Sequence, residues 1–246
     1  MNFIKIKYTV KTKAKFIVLE GLDATGKSTQ LDLLGDFFNK NKIKYTYIHF
    51  PVTNNDSPVF GELIARFLRG EFGSIAQVHP DLVALLFAGD RFNSADYIRK
   101  KLDSGCYIIS DRYVFSNIAY QCAKLKTEKE RENLMYRILS MEYEYFRVPK
   151  PDISIFMHVP FSFVEEKLKS KRSGDARNYL KGKEDIHEVS FAFQKEVEKI
   201  YLRMAKTMPD KIKYLNCGNE NNVILSPEII NEKIIMLLQE TKILQC

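Results

Sequence analysis

The chain has 246 residues, and its 38 lysines and arginines outnumber its 31 aspartates and glutamates, giving a formal charge of +7. Hydrophobic residues make up 45% of the sequence and charged residues 28%, which is typical of a globular protein and excludes a disordered chain. No apolar run reaches the about 18 residues of a membrane span, and residues 1–15 lack the apolar core of a secretory signal. The cysteines are widely spaced, so no zinc site or disulfide framework is expected. These features predict a cytoplasmic protein with reduced thiols and no membrane partner.

The positive charge is concentrated in two segments. Residues 1–15 carry five lysines and no acid, and residues 165–183 carry seven basic residues and three acids. A nucleic-acid-binding surface would spread its basic residues over a folded face, so no nucleic-acid partner is expected. We therefore divide the chain into a basic N-terminal extension, residues 1–15, and a single domain, residues 16–241, whose basic loop covers about 172–183.

Short β-branched runs alternate along the chain with stretches of helical periodicity. Strands are predicted at 15–20, 45–50, 106–110, 153–158 and 213–216. Helices are predicted at 28–39, 58–69, 80–102, in segments up to about 146, and at 161–171, 185–206 and 227–239. Alternation of this kind predicts an α/β fold with a parallel sheet and helices on both of its faces.

The first predicted strand is followed by a phosphate-binding motif. Residues 21–28 read Gly-Leu-Asp-Ala-Thr-Gly-Lys-Ser and match G-x-x-x-x-G-K-[S/T] between a strand and a helix. The glycines let backbone N–H groups surround a phosphate, and the positive end of the helix dipole points at the anion. Lys27 is expected to reach the β and γ phosphates, and the Ser28 hydroxyl to ligate Mg²⁺. We expect ATP to be bound here by Gly21, Leu22, Asp23, Ala24, Thr25, Gly26, Lys27, Ser28 and Thr29.

The end of the third predicted strand indicates which phosphate-loop protein this is. The N-K-x-D motif by which GTPases read the base is absent, and the strand ends in Asp111-Arg112 instead of the Asp-Glu usual in motor ATPases. An arginine next to the acid on the metal side suggests that a second anion is held there. We therefore expect Asp111 to be the second Mg²⁺ ligand of a kinase with a phosphorylated acceptor.

Five segments, in order, resemble the thymidylate kinase family. They are residues 20–30, 86–91, 111–121, the Pro-Asp pair at 151–152 and residues 185–188, and the similarity runs from about residue 16 to residue 239. The resemblance implies a P-loop NTPase fold with a five-stranded parallel sheet. It also implies a homodimer that transfers the γ-phosphoryl group of ATP to dTMP, giving dTDP for dTTP biosynthesis.

The resemblance also implies roles for individual residues. Phe87 would stack on the thymine ring, Arg91 would hydrogen-bond the base, and Arg112 would hold the acceptor phosphate. Asp23 would accept the deoxyribose 3′-hydroxyl and, with Lys27 and Arg112, act in catalysis. The rest of the dTMP site would be Phe50, Ser116, Asn117, Tyr120, Gln121, His187 and Glu188.

Two departures from the family pattern affect these expectations. Some members carry a catalytic arginine in the phosphate loop, where this chain has Ala24 and Thr25. The catalytic arginine is therefore expected from the basic loop, with Arg177 acting on the transferred group and Arg172 on adenine or the ATP phosphates. The second strand also ends without the usual arginine, so either His49 substitutes for it or Arg112 acts nearly alone.

Two alternatives stay open. A related deoxynucleoside or nucleoside monophosphate kinase is one of them, although a hydroxyl acceptor needs a carboxylate base and residues 50–57 offer only Asp56. A non-catalytic nucleotide-binding protein is the other, and the presence of Lys27, Ser28 and Asp111 argues against it.

Overall fold

The structure is a computed structural model that describes residues 13–53, 56–169, 180–181, 185–187 and 190–244. Five strands form one parallel sheet in the order β2-β3-β1-β4-β5. They are β1 (Phe16–Glu20), β2 (Tyr45–His49), β3 (Tyr107–Asp111), β4 (Ile153–His158) and β5 (Lys213–Asn216). The predicted five-stranded parallel sheet is confirmed. Arg172, Arg177, Glu188 and most of the basic N-terminal extension lie outside the described residues.

Helices connect and cover the strands. They are α1 (Lys27–Lys40), α2 (Phe60–Leu68), α3 (Pro80–Asp103), α4 (Val114–Cys122), α5 (Glu128–Ser140), α6 (Phe161–Lys169), α7 (Phe191–Thr207) and α8 (Pro227–Glu240). A π-helical turn, Met141–Tyr145, follows α5 directly. Every residue of β1 is buried, as expected for a central parallel strand covered on both faces. Among the described residues, no helix is long and apolar enough to cross a membrane.

Local sequence accounts for several helix ends. Thr127 and Glu130 form a capping box at the start of α5, and Ser226 caps α8 just before Pro227. The start of α7 differs from its prediction, because residues 185–187 are not helical and the helix begins at Phe191. The side chain of Ser190 accepts a hydrogen bond from the N–H of Phe193, which makes it the N-cap.

The strand order places the functional segments together. β1 lies between β3 and β4, so the loops that follow β1 and β3 are neighbours at the carboxyl edge of the sheet. Leu19 of β1 pairs in register with Asp111, the last residue of β3. A crevice outside the carboxyl ends of parallel strands is where α/β proteins bind ligands, and the motif residues meet at this edge.

Candidate active site

The phosphate loop wraps around the Lys27 side chain. Gly26, with φ +80, is the N-cap of α1, a left-handed conformation that glycine adopts without steric cost. Lys27 is 6% exposed, and its Nζ donates a 2.7 Å hydrogen bond to the carbonyl oxygen of Leu22. The Thr25 hydroxyl donates to the same oxygen at 3.1 Å. The loop is therefore folded into a phosphate-binding shape by its own side chains.

Asp111 is a buried, ionised carboxylate next to this loop. Its Oδ1 lies 3.9 Å from Lys27 Nζ and its Oδ2 lies 3.4 Å from His49 Nδ1. Burial raises the pKa of Asp111, but the Lys27 charge and the His49 hydrogen bond outweigh it and lower the pKa to about 2. No described residue donates a hydrogen bond to the buried Oδ1. An ionised oxygen without a donor, near the Ser28 hydroxyl on the same cavity wall, suits Mg²⁺, which prefers oxygen ligands and keeps waters and phosphates around it.

Arg112 and Asp23 form an ion pair beside the phosphate loop. Arg112 Nη2 donates to Asp23 Oδ1 at 2.7 Å, and Nη1 donates to the carbonyl oxygen of Gly21 at 2.7 Å. Asp23 Oδ2 accepts further bonds from the Tyr120 hydroxyl at 2.6 Å and from Gln194 Nε2 at 2.9 Å. Burial raises the pKa of Asp23, yet the Arg112 and Lys27 charges lower it well below its ordinary range. Asp23 is therefore an anion at neutral pH.

Glu20 contacts Arg112 through the Ser116 hydroxyl. It is fully buried and accepts hydrogen bonds from the backbone N–H of Tyr113 at 3.1 Å and from the Tyr201 hydroxyl at 3.0 Å. The Ser116 hydroxyl also donates to Glu20, and its oxygen accepts from Arg112 Nη1 at 3.1 Å. Burial raises the pKa of Glu20. The Arg112 guanidinium is thus held directly by Asp23 and, through Ser116, by Glu20.

A second buried ion pair lies on the far wall of the same cavity. Arg91 on α3 is 1% exposed, and its Nε donates to both carboxylate oxygens of Glu142 at 3.0 and 2.9 Å. Asn117 on α4 donates from Nδ2 to Glu142 Oε1 at 3.1 Å and to the carbonyl oxygen of Ala84 at 3.0 Å. Glu142 lies in the π-helical turn, a feature frequently found at functional sites.

An aromatic cluster closes the cavity on a third side. The His187 ring lies 5.1 Å from the ring of Tyr120, 5.7 Å from that of Phe193 and 5.5 Å from that of Phe67. Burial lowers the pKa of His187 to about 3, so the imidazole is neutral at physiological pH. The cluster gives this end of the cavity an apolar wall.

These walls surround one cavity of about 430 Å³. Most of the chain matches one protein family. A family model described as thymidylate kinase matches residues 19–226. The chain belongs to the thymidylate kinase family. A probable thymidylate kinase of Thermococcus kodakarensis is 33% identical over 233 residues, which cover 91% of this chain and 97% of that protein. The thymidylate kinase of Plasmodium falciparum is 29% identical over 157 residues, covering 64% and 67% of the two chains.

A solved thymidylate kinase structure has the same fold. The Candida albicans enzyme superposes with a TM-score of 0.67 at 24% identity, covering 94% of this chain and 93% of that one. The P-loop NTPase fold and the resemblance to thymidylate kinases are therefore confirmed. Membership of this family also indicates an ATP-dependent phosphotransferase.

The structure brings most of the predicted site residues to the cavity. Those lining it are Asp23, Ala24, Thr25, Gly26, Lys27, Ser28, Thr29, Phe50, Phe87, Arg91, Asp111, Arg112, Ser116, Asn117, Tyr120, Gln121 and His187. Gly21 and Leu22 are not part of the lining, and their carbonyl oxygens instead hold the Arg112 and Lys27 side chains. His49, which the family pattern made doubtful, also lines the cavity but is turned toward Asp111.

Sequence reasoning missed the residues that orient the predicted ones. Glu142, Gln194 and Tyr201 belong to none of the recognised motifs, although each contacts a cavity-lining side chain. The only signal in the sequence was indirect, because a buried arginine such as Arg91 requires a carboxylate partner. Nothing in the pattern indicated which of the acids supplies it.

Proposed function

We propose that this member of the family transfers the γ-phosphoryl group of ATP to dTMP, giving ADP and dTDP for dTTP biosynthesis. The supporting observation is that the phosphate loop and the wall formed by Phe87, Arg91 and Asn117 line one cavity. Arg112 lines the same cavity, in position to hold the phosphate of an acceptor whose base lies at that wall. Both substrates are soluble nucleotides, so a cytoplasmic location is part of the proposal.

The donor side would use the phosphate loop. Its backbone N–H groups and Lys27 would hold the β and γ phosphates of ATP, and Ser28 and Asp111 would hold Mg²⁺. When bound, Mg²⁺ would neutralise part of the charge that develops on the transferred group. The Lys27 charge lowers the pKa of Asp111, so this carboxylate would not have to lose a proton before it holds Mg²⁺.

The acceptor side needs no general base. A monophosphate oxygen is already anionic near pH 7, so the chain only has to position it and neutralise its charge. Phe87 would stack on the base, and Arg91, Asn117, Gln121 and Phe50 would surround it. Asp23 would accept the 3′-hydroxyl, near Ser116, Tyr120, His187 and Glu188.

The lid residues complete the proposal. Arg177 is assigned to the transferred phosphoryl group and Arg172 to ATP, because the phosphate loop carries no arginine. Arg177→Ala is expected to lower kcat by about 10²-fold, while Lys181→Ala, at an exposed position of the same segment, changes it little. An unchanged kcat in the Arg177 variant would mean that another residue acts on the transferred phosphoryl group.

The acceptor is tested by ADP release with dTMP, dUMP, dCMP, dGMP and thymidine. We expect the highest kcat/KM with dTMP and loss of turnover in Lys27→Met. Preference for thymidine would instead indicate a nucleoside kinase, and its base would have to be a residue other than Asp56, which does not line the cavity. No turnover with any acceptor would indicate a non-catalytic nucleotide-binding protein.

We also propose that the chain forms a homodimer through α3. Leu82, Leu85 and Phe92 are 60%, 43% and 51% exposed, and their spacing places them on one stripe of this helix. An exposed apolar stripe of this kind is a common interaction surface. Sedimentation analysis is expected to give a dimer for the natural chain and a monomer for Leu85→Glu.

A further inference from the structure

Glu142 is the one carboxylate in the described residues that contacts both Arg91 and Asn117. It is fully buried and does not line the cavity itself. Its three contacts to Arg91 and one to Asn117 involve both carboxylate oxygens. Any change at Glu142 therefore reaches a bound base only through these two side chains.

The Asn117 amide has one possible orientation in this environment. Its nitrogen faces two acceptors, the Ala84 carbonyl oxygen and Glu142 Oε1, and donates both of its hydrogens to them. Turning the amide over would place its oxygen against the same two acceptors, with no hydrogen between them. The remaining polar atom, Oδ1, is buried and has no hydrogen-bond donor among the described residues. Asn117 is thus left with an acceptor to offer to a ligand.

Arg91 offers the opposite kind of group. Glu142 occupies its Nε and one hydrogen of Nη2, while Nη1 pairs with no acceptor in the described part of the chain. A guanidinium only donates hydrogen bonds. Both side chains line the cavity, whose wall therefore combines a donor from Arg91 with an acceptor from Asn117. Glu142 holds both side chains, and the Ala84 carbonyl oxygen also holds Asn117.

Pyrimidine bases differ at the edge that fits this wall. Thymine and uracil carry a carbonyl oxygen at position 4 beside a ring N–H, which complements a donor beside an acceptor. Cytosine carries an amino group and an unprotonated ring nitrogen, so both contacts would be mismatched. Unpaired buried polar groups give strong discrimination, typically far more than a missing methyl group does.

We propose that Glu142 is the positioning residue that sets base specificity, by fixing Asn117 and Arg91 so that a 4-oxopyrimidine monophosphate is accepted and a 4-aminopyrimidine monophosphate is rejected. The inference rests on the proposed function, since it assumes that the base of the acceptor lies against these two residues. The π-helical turn supports it, because this turn directs Glu142 into the core while its neighbour Glu144 stays exposed.

The test compares kcat/KM for dTMP and dCMP in Glu142→Gln and in Glu144→Gln, the same change at the exposed neighbouring acid. In Glu142→Gln one of the two acceptor oxygens becomes an NH₂ group, which opposes a donor of Arg91 or Asn117, and the charge that pairs with Arg91 is lost, so these side chains are no longer fixed in their positions. We expect the preference for dTMP over dCMP to fall at least about tenfold, the equivalent of one lost hydrogen bond. The KM for ATP should stay within about twofold, and Glu144→Gln should behave like the natural enzyme.

A second variant separates specificity from general damage. Glu142→Asp keeps the charge but shortens the reach to Arg91 and Asn117. We expect it to lower the preference for dTMP as well, but less than Glu142→Gln does. Equal losses with dTMP and dCMP in Glu142→Gln would overturn the proposal. If Glu142→Gln does not fold, Glu142→Asp alone decides, and an unchanged preference in it would likewise overturn the proposal.

Binding titrations keep this inference distinct from the proposed function. The affinities for dTMP and dCMP are measured for the natural chain and for each variant, without ATP. If the natural chain binds dTMP but does not phosphorylate it, the proposed function fails, and the ratio of the two affinities still decides the role of Glu142.

Discussion

Lys124 lowers the stability of this fold at neutral pH, and Lys124→Met is expected to raise it. The Lys124 ammonium group is buried and has no hydrogen-bond acceptor among the described residues. Among the described residues, Nζ contacts the ring of Phe67, whose centroid lies 4.8 Å away. Burial lowers the pKa of the amine from its ordinary 10.5 to about 7. Methionine has a similar length and carries no charge, so it fills the same space without this cost.

The size of the effect follows from proton linkage. Between pH 10.5 and about 7, the unfolded chain holds a proton at Lys124 that the folded chain does not. Lys124 therefore does not reduce the free energy of unfolding above pH 10.5, and the reduction grows as the pH falls toward 7. At pH 8 the folded chain holds this amine mostly neutral, and the loss amounts to about 3 kcal/mol. Lys124→Met should thus gain about 3 kcal/mol in the free energy of unfolding at pH 8.

Urea denaturation at several pH values measures this difference. The advantage of Lys124→Met should shrink by about 1.4 kcal/mol per pH unit above pH 8 and nearly vanish by about pH 10.5. Lys126→Met is the control, because Lys126 is exposed in the same loop and its replacement should change stability by less than about 0.5 kcal/mol. A variant that is less stable than the natural chain, or an advantage that does not vary with pH, would refute the reasoning.

Two further substitutions test the site and the packing. Asp23→Asn removes the charge that pairs with Arg112 at 2.7 Å, so the free energy of unfolding should fall by about 3 kcal/mol and the KM for dTMP should rise at least about tenfold. Asp36→Asn, at an exposed position of α1, is its control, and equal KM values in the two variants would contradict the role of Asp23. In Gly89→Ala the new Cβ would lie 2.2 Å from a ring carbon of Phe60, which should cost about 1–3 kcal/mol and lower Tm by about 2–4 °C per kcal/mol. An unchanged Tm would mean that the ring can move aside.

The sequence was sufficient for features whose cause is local. The strand before Gly21, the glycines and the helix that begins at Lys27 are determined by residues next to one another in the chain. The sheet followed from the alternation of strands and helices, because crossover connections restrict the possible topologies. The helix start predicted at residue 185 was wrong, because helical periodicity continues across residues whose backbone is not helical, and the capping residue, Ser190, sets the true start.

Long-range pairs could not be predicted in the same way. Arg91 was placed at the cavity from its motif, but its partner Glu142 is 51 residues away in a segment without a motif. Gln194, which donates to Asp23, is 171 residues from it. Such contacts depend on how helices pack, and many acids and amides in the chain could have satisfied the same requirement. The predicted roles were therefore assigned to residues whose orientation depends on others that the motifs do not include.

The net charge of +7 is not concentrated in the described part of the site, because the cations there are matched by acids. The cavity is lined by the cations Lys27, Arg91, Arg112 and Lys167. Asp23, Asp111 and Asp185 line it too, and Glu142 pairs with Arg91 from behind the wall. The described part of the site is therefore close to neutral, although its substrates are polyanions. Buried cations without partners would be costly, so these pairs stabilise the site. Under the proposed function, Mg²⁺ and the basic loop would supply the additional positive charge that two nucleotides require.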